Sequence, residues 1–173
     1  MTNEADALWE ISVPLKKFLT FTNCPERWRP FNLYLVRDEQ VVFYVGQSYC
    51  AFARVWEHIQ GGPRGHSTLG RFILLNWPQS GGFHVELLRS AAPRFAPTGH
   101  DRDAAERLLI ERCAPCFNVS LNREPTALPA GYLPPSTPFK QLRSYKRLLH
   151  RMLRQAGYAE QLAFRDSRDT EWE

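Results

Sequence analysis

The segment FNLYLVRDEQVVFYVG, residues 31–46, has the clearest structural pattern in the chain. Two runs within it, FNLYLV (31–36) and VVFYV (41–45), are rich in aromatic and β-branched residues, and the polar residues RDEQ separate them. Runs of this composition around a short polar turn are typical of a β-hairpin. We therefore predict two antiparallel strands, the second of which ends at Gly46.

The residues that follow the hairpin have the pattern of an amphipathic helix. Ser48 stands at the position of an N-cap, and the Gly-Gly-Pro at 61–63 would stop the helix after about Ile59. The apolar residues recur at helical intervals and form one stripe, made of Phe52, Val55, Trp56 and Ile59. Arg54 and His58 lie one turn apart on roughly the opposite side, so we expect them to face solvent or a cleft.

The patterns farther along the chain predict an α+β fold. Residues 69–75 form a candidate short helix, and residues 83–88 alternate enough to form a third strand. Asp101 is a candidate N-cap for a further helix, which should end near Cys113 because a proline lies just beyond it. We therefore predict an α/β protein of the α+β type, with a small antiparallel sheet of about three strands flanked by helices.

Glu106 falls within the apolar arc of the helix that begins after Asp101. The other members of that arc are Ala105, Leu108, Leu109, Ile110 and Cys113. An unpaired carboxylate is costly to bury, so a carboxylate at this position calls for a cation. Helix geometry alone leaves a second interpretation open, in which Glu106 lies at the edge of the core and reaches water or pairs with an arginine.

The C-terminal part of the chain is rich in proline and then in basic residues. Residues 123–138 contain five prolines and predict an extended connector, after which Thr137 and Pro138 suit the start of a helix that reaches Gly157. Its basic side chains, with no acid among them, are Lys140, Arg143, Lys146, Arg147, Arg151 and Arg154. Such a helix either grips phosphates or docks on the protein with a solvated basic face.

Composition sets wider limits on function. The chain has 22 Lys and Arg against 18 Asp and Glu, which gives a net charge of +4 and is compatible with a polyanionic partner without requiring one. No stretch reaches the roughly 18 uncharged apolar residues of a membrane span, and the N-terminus lacks the layout of a secretion signal. We therefore expect a soluble, cytoplasmic protein.

The cysteines are too few for a disulfide scaffold, so we expect reduced thiols. Cys113 and Cys116 form a Cys-x-x-Cys, which would hold a zinc ion if the other two cysteines, Cys24 and Cys50, converged on it. Neither of those two belongs to a second such pair, so packing is the preferred interpretation for all four.

The order and spacing of six residues resemble the GIY-YIG nuclease superfamily. Tyr44 follows Tyr34 by ten residues on the paired strands, and Arg54 follows Tyr44 by another ten. The segment AERLLIERCAPCFNVSLN, residues 105–122, is similar to the later motif of that family, with a helix-borne glutamate and an aromatic-Asn pair. The six residues are, in chain order, Tyr34, Tyr44, Arg54, His58, Glu106 and Asn118. One departure is Asn32, which stands where the family has its first glycine.

The resemblance implies a metal-dependent DNA endonuclease. Hydrolysis of a phosphodiester needs a deprotonated nucleophile, stabilisation of charge around phosphorus and a stabilised leaving oxygen. By the resemblance, Glu106 would hold one Mg²⁺ or Mn²⁺, which are hard ions that favour carboxylate and water ligands. Arg54 would donate to the non-bridging phosphate oxygens, which its planar guanidinium suits.

The resemblance also assigns roles to the tyrosines and to Asn118. Tyr34 would activate the attacking water with help from Tyr44, so the pKa of both phenols must be perturbed from the normal value of about 10. His58 is an alternative base or orients the water, and the sequence leaves the choice between His58 and Tyr34 open. Asn118 would support the active-site loop or the Glu106 helix by hydrogen bonding.

The resemblance covers residues 31 to about 122 and divides the chain into three parts. These are an N-terminal extension (1–30), a catalytic domain (31–122), and a proline-rich connector with a C-terminal helical extension (123–173). A compact chain with its own extensions favours a sequence-specific type II restriction endonuclease, and cutting two strands with one site per chain suggests a homodimer. The alternatives are a repair-type or homing-type nuclease, selective for structure or damage, and a non-catalytic nucleic-acid-binding protein of the same fold. Candidate DNA contacts are Arg64, His66, Arg71, Lys140, Arg143, Lys146, Arg147 and Arg151.

Overall fold

The computed structural model describes residues 8–61, 66–139 and 146–157. An antiparallel sheet lies at its centre, with the spatial strand order β1-β4-β2-β3. The strands of this described part are β1 (Glu10–Pro14), β2 (Leu33–Arg37), β3 (Val42–Gln47) and β4 (His84–Leu88). The predicted hairpin is confirmed as β2 and β3, and the predicted third strand is confirmed as β4. The α+β fold class is confirmed as well.

The sheet has one strand more than predicted, because β1 lies in the segment expected to be an extension. β1 pairs antiparallel with β4, with Glu10 opposite Leu88 and Pro14 opposite His84. Its sequence EISVP alternates only weakly and ends in a proline, which an edge strand tolerates at its terminus. The chain then continues into a short buried helix, so this segment is part of the core that holds the hairpin.

Helices cover both faces of the sheet. They are α1 (Leu15–Phe18), α2 (Ala51–Gly61), α3 (Thr68–Leu75), α4 (Arg102–Cys113) and the helical residues 146–157, with 3-10 turns at Glu26–Trp28, Gln79–Gly82 and Pro93–Thr98. The predicted helices at 69–75 and after Asp101 are confirmed, and Asp101 caps α4 by accepting from the Ala104 N–H at 2.9 Å. Among the described residues, none of the helices has the length and apolar character needed to cross a bilayer.

The predicted N-cap of α2 is wrong, because the helix begins at Ala51 rather than directly after Ser48. The Ser48 hydroxyl accepts from the Cys50 N–H at 3.3 Å, before the helix starts. The Ala51 N–H instead donates to the carbonyl of Phe31 at 3.0 Å. The carbonyl of Phe31 therefore accepts from a backbone N–H at the start of the helix, as a capping side chain otherwise would.

Alternate side chains of β2 pack on opposite faces of the sheet. Tyr34 and Val36 belong to the larger apolar cluster, which α1, α2 and α3 cover. Leu33 and Leu35 belong to a second cluster with residues of α4. β3 is an edge strand of this sheet, with α2 packed on one face of the sheet and α4 on the other.

The connector packs against the domain in a largely irregular conformation. The Tyr132 hydroxyl donates to Asp38 at 2.7 Å, and the Asn76 side chain bonds the backbone N–H and carbonyl of Leu133 at 2.8 and 2.9 Å. The helix predicted to start at Pro138 does not start there, because residues 137–139 are not helical. The guanidinium of Arg71 donates to the Thr137 carbonyl at 2.7 Å, and this contact holds the chain extended at this point.

Candidate active site

Tyr34 lies at the centre of the predicted site. Its side chain is 1% exposed, and its hydroxyl lies 2.8 Å from Nε2 of His58, which α2 contributes. Gly46 is the register partner of Tyr34 on β3, and a Cβ at Gly46 would lie 2.3 Å from the Tyr34 hydroxyl oxygen. The phenol therefore crosses β3 at a residue that cannot carry a side chain.

A second hydrogen bond holds the other nitrogen of His58. Nδ1 lies 2.8 Å from the hydroxyl oxygen of Ser67, which also accepts from the Gly70 N–H at 3.0 Å as the N-cap of α3. Burial and, to a lesser extent, the charge of Arg54 lower the pKa of His58 to about 4. The imidazole is therefore neutral near neutral pH, so one of its two nitrogens carries no proton and can accept one.

Tyr44 completes an aromatic cluster around the phenol of Tyr34. Its ring centroid lies 6.2 Å from that of Tyr34 and 5.2 Å from that of His58. Burial raises the pKa of Tyr34, with a smaller contribution from Tyr44, and burial also raises the pKa of Tyr44. Both phenols are therefore protonated at neutral pH, so neither is a standing phenolate base in the free protein.

Arg54 lies next to these phenols on the more exposed side of α2. Its charge and its hydrogen bonding lower the pKa of Tyr34, against the effect of burial. Nη1 also lies 2.6 Å from Oε2 of Glu57, but both side chains are about half exposed, at 47% and 60%. Exposed pairs of this kind contribute little, so the guanidinium remains available to an incoming phosphate. His58, by contrast, is only 8% exposed.

Glu106 reaches the same site from α4. Its Oε2 accepts from the side-chain Nε2 of Gln47 at 2.9 Å, at the end of β3. Its negative charge raises the pKa of both Tyr34 and Tyr44, so the carboxylate acts on the two phenols. It is half-buried and forms no ion pair with any described residue. Pairing with an arginine, one of the alternatives that the sequence left open, is therefore not seen among the described residues, and the half-buried carboxylate is accessible to water or to a cation.

Asn118 binds the backbone of β3. Its Oδ1 accepts from the Val45 N–H at 2.9 Å, and its Nδ2 donates to the Val45 carbonyl at 2.8 Å. The backbone N–H groups of Cys116 and Phe117 donate to the carbonyls of Val42 and Phe43. These contacts are those of a structural support, since they tie the segment after α4 to the strand that carries Tyr44.

The donor set fits magnesium or manganese better than zinc. In the ranges described, no three His, Cys, Asp or Glu side chains converge on one point. Mg²⁺ commonly takes one or two carboxylates and completes its shell with waters and substrate phosphate, which fits Glu106 at a half-exposed edge. No disulfide links the four cysteines: the Cys24 thiol donates to the Pro25 carbonyl at 3.4 Å, and Cys116 lies near Asp38.

The predicted DNA contacts fall into three groups. His66, Lys146, Arg147 and Arg151 are exposed. Arg71 is instead bound within the chain, because it donates to the Thr137 carbonyl and its guanidinium lies 4.9 Å from the ring centroid of Phe139. The other three lie outside the described residues: Arg64, Lys140 and Arg143.

Sequence patterns did not point to Gln47, which contacts the site, and pointed to Ser67 only through the pair His66-Ser67, which is weakly similar to a His-Ser that follows the first helix in some homing endonucleases. Ser67 follows a histidine directly before a predicted helix, so its capping position was the signal available for it. Gln47 is a single polar residue at a strand end, where no pattern distinguishes it from a solvated side chain.

The chain matches no protein-family model, no curated protein and no solved structure. Its function is therefore argued from the geometry above and from the order of the motif residues along the chain.

Proposed function

We propose that this chain is a divalent-metal-dependent DNA endonuclease of the GIY-YIG type, which hydrolyses phosphodiester bonds. One observation carries the proposal. Tyr34 and Tyr44 from the hairpin interact with Arg54 and His58 from α2 and with Glu106 from α4. A general base, a phosphate-binding cation and a metal-binding carboxylate are the three components that phosphodiester hydrolysis needs.

The contact between Tyr34 and His58 supports a proton relay to a neutral imidazole. The oxygen of the attacking water bonds to phosphorus while its proton passes to the Tyr34 hydroxyl oxygen. In the same step the Tyr34 proton passes to Nε2 of His58, which lies 2.8 Å away. The bond from phosphorus to the leaving oxygen then breaks, and that oxygen takes a proton from solvent. Tyr34 and His58 thus share the role of general base, and Tyr34 never needs to exist as a stable phenolate.

Arg54 and Glu106 supply the charges around the phosphate. The Arg54 guanidinium donates to the non-bridging oxygens and offsets the charge that grows there during attack. Glu106 would provide a carboxylate oxygen for Mg²⁺ or Mn²⁺, and that ion would supply Lewis-acid stabilisation of the phosphate and of the leaving oxygen. Tyr44 packs against both Tyr34 and His58, so it restricts the position of the phenol and assists it.

We further propose duplex DNA as the substrate, cut sequence-specifically as by a type II restriction endonuclease, and with it a cytoplasmic location. Exposed basic side chains on the helical residues 146–157, such as Lys146, Arg147 and Arg151, suit contacts to backbone phosphates. One site per chain cuts one strand, so cleavage of both strands calls for two copies related by the symmetry of a homodimer.

Digestion of unmodified plasmid and of a branched DNA junction, each with Mg²⁺, tests this proposal. We expect discrete plasmid fragments from the wild type and from the control Glu111→Gln, which removes the same charge from the exposed side of α4. Glu106→Gln should give none. Cleavage of the junction but not of the plasmid would indicate a repair-type nuclease instead of a restriction endonuclease. Binding without cleavage by the wild type would leave only a nucleic-acid-binding protein.

A further inference from the structure

Gln47 connects the end of β3 to α4 through a single side-chain amide. Its Nε2 lies 2.5 Å from Oδ1 of Asp103 and 2.9 Å from Oε2 of Glu106. Asp103 and Glu106 are three residues apart on α4, so both carboxylates face the same side of the helix. The nitrogen has two N–H groups, and each of them is used on one carboxylate.

The two carboxylates determine how the amide is turned. The opposite orientation would place Oε1 of Gln47 against both negatively charged groups, which is electrostatically unfavourable. In the observed orientation Oε1 is buried and has no hydrogen-bond partner among the described residues. The two carboxylates therefore determine the orientation of the Gln47 amide, because Oε1 has no hydrogen bond that could determine it.

An amide is a suitable partner for a carboxylate that must also bind a metal ion. Arginine or lysine at position 47 would neutralise Glu106 and compete with a divalent cation for it. The N–H groups of Gln47 fix the carboxylate and leave its negative charge in place. They also occupy Oε2, so Oε1 of Glu106 remains for an ion.

We propose that Gln47 is a positioning residue for the metal-binding carboxylate, held in its donor orientation by Asp103. The inference rests on the proposed function, since it assigns the ion to Glu106. Neither the order of the motif residues nor the resemblance points to Gln47 or Asp103. Hydrogen bonds that orient a metal ligand typically affect metal affinity by about 10- to 100-fold, so the same range is expected here.

Mn²⁺ binding to the full chain, followed by electron paramagnetic resonance, tests this role separately from catalysis. We expect Gln47→Leu to weaken Mn²⁺ binding by about 10- to 100-fold. Cleavage should also need more Mn²⁺ but approach the wild-type rate at saturation, because the residue acts on the carboxylate and not on the phosphate. Gln47→Asn keeps the amide but is one methylene shorter, so it should fold normally and show a loss in the same direction. Gln40→Leu, in the exposed turn between β2 and β3, is the matched control and should bind Mn²⁺ like the wild type.

The outcomes separate this inference from the proposed function. If the wild type binds Mn²⁺ and cleaves DNA while both Gln47 variants bind Mn²⁺ equally well, the positioning role is overturned and the nuclease stands. If the wild type neither binds Mn²⁺ nor cleaves DNA, the proposed function is overturned, and the role of Gln47 with it.

Discussion

Tyr34 depends on a neighbour that has no side chain. Its phenol lies over Gly46, where a Cβ would come within 2.3 Å of the hydroxyl oxygen and 2.4 Å of the adjacent ring carbon. The Tyr34 side chain is 1% exposed, and its hydroxyl lies 2.8 Å from Nε2 of His58. The absence of a side chain at Gly46 is thus part of the geometry of the proposed site.

Gly46→Ala should therefore displace Tyr34. A buried ring cannot yield without disturbing its neighbours, so we expect a loss of about 1–3 kcal/mol in the free energy of unfolding. DNA cleavage should fall as well, because the hydrogen bond to His58 is broken. Gly82→Ala is the control, since a Cβ there meets no described atom within 4 Å. Urea denaturation of both variants measures the difference, and equal stability of the two would contradict this account of Gly46.

His58 should make the protein less stable in mild acid. Burial lowers its pKa to about 4 in the folded state, so the unfolded chain binds the proton first as the pH falls below about 6.5. Stability is therefore fully present above this range and is lost as the pH falls toward the folded pKa. Between about pH 7 and pH 5 the wild type should lose about 2 kcal/mol more than His58→Gln, as measured by urea denaturation. An equal loss in both proteins would show that His58 is not the group responsible.

At the scale of the residue, sequence order predicted which side chains would lie together at the proposed site but not how they would be held. The spacing of Tyr34, Tyr44 and Arg54 follows from the hairpin and helix that carry them, and such spacing is visible in a sequence. The bonds from Ser67 to His58 and from Gln47 to Glu106 join elements that are distant along the chain. No periodicity contains that information, because it arises from tertiary packing.

Among the elements, β3 needs its position fixed most closely, since it is an edge strand and carries both Tyr44 and Gly46. The segment after α4 covers its outer side, with Asn118 bonding both backbone groups of Val45. The strand edge is thereby paired with a side chain and with backbone N–H groups instead of being left open. Loss of these hydrogen bonds should increase the mobility of β3 and, with it, that of the site residues that β3 carries.

Asn118→Ala should therefore raise hydrogen exchange at the Val45 amide and destabilise the fold by about 1–3 kcal/mol, the cost of leaving partly buried backbone groups unpaired. Asn118→Asp keeps the acceptor for the Val45 N–H but sets an oxygen against the Val45 carbonyl, so it should not restore stability. Exchange measured by mass spectrometry on both variants checks this expectation. Unchanged protection of β3 in Asn118→Ala would contradict the supporting role.

Helix and strand positions were mostly predictable, and the exceptions have local causes. Regions with strong periodicity or a good cap, such as α4 after Asp101, could be placed within a few residues. β1 could not, because its five residues alternate weakly and its pairing with β4 is a long-range contact. Serine is a common N-cap residue, so Ser48 was a reasonable prediction. In the structure, however, the Phe31 carbonyl accepts from the Ala51 N–H, which a capping side chain would otherwise bind.

The whole molecule is held together by its C-terminal part as well as by the sheet. Met152 is fully buried in the same core as Tyr34 and Phe43, although it lies in the helical residues 146–157. The Trp77 indole N–H also donates to Gln155 at 2.6 Å across this contact. The helix is therefore docked on the domain with a basic exposed face, which is one of the two interpretations that its sequence left open, and the binding of phosphates by that face stays a prediction.

Met152→Ala should therefore destabilise the entire fold and not only its own helix. We expect a loss of about 2–5 kcal/mol in a single unfolding transition, as for other large buried side chains. Arg147→Gln, on the exposed face of the same helix, should change stability by less than about 0.5 kcal/mol but weaken DNA binding and lower its salt dependence. Thermal unfolding and salt-dependent binding titrations distinguish the two effects. A separate early transition in Met152→Ala would show that the helix is not part of the common core.

The central claim is that Tyr34 and Glu106 act as parts of one hydrolytic site, and single-turnover cleavage of a cognate duplex tests it most directly. Tyr34→Phe and Glu106→Gln should each slow cleavage by at least about 100-fold, while duplex affinity measured in Ca²⁺ stays close to that of the wild type. The double variant should be scarcely slower than either single one, because groups that act as a unit are not additive. Cleavage by Glu106→Gln at the wild-type rate would contradict the claim.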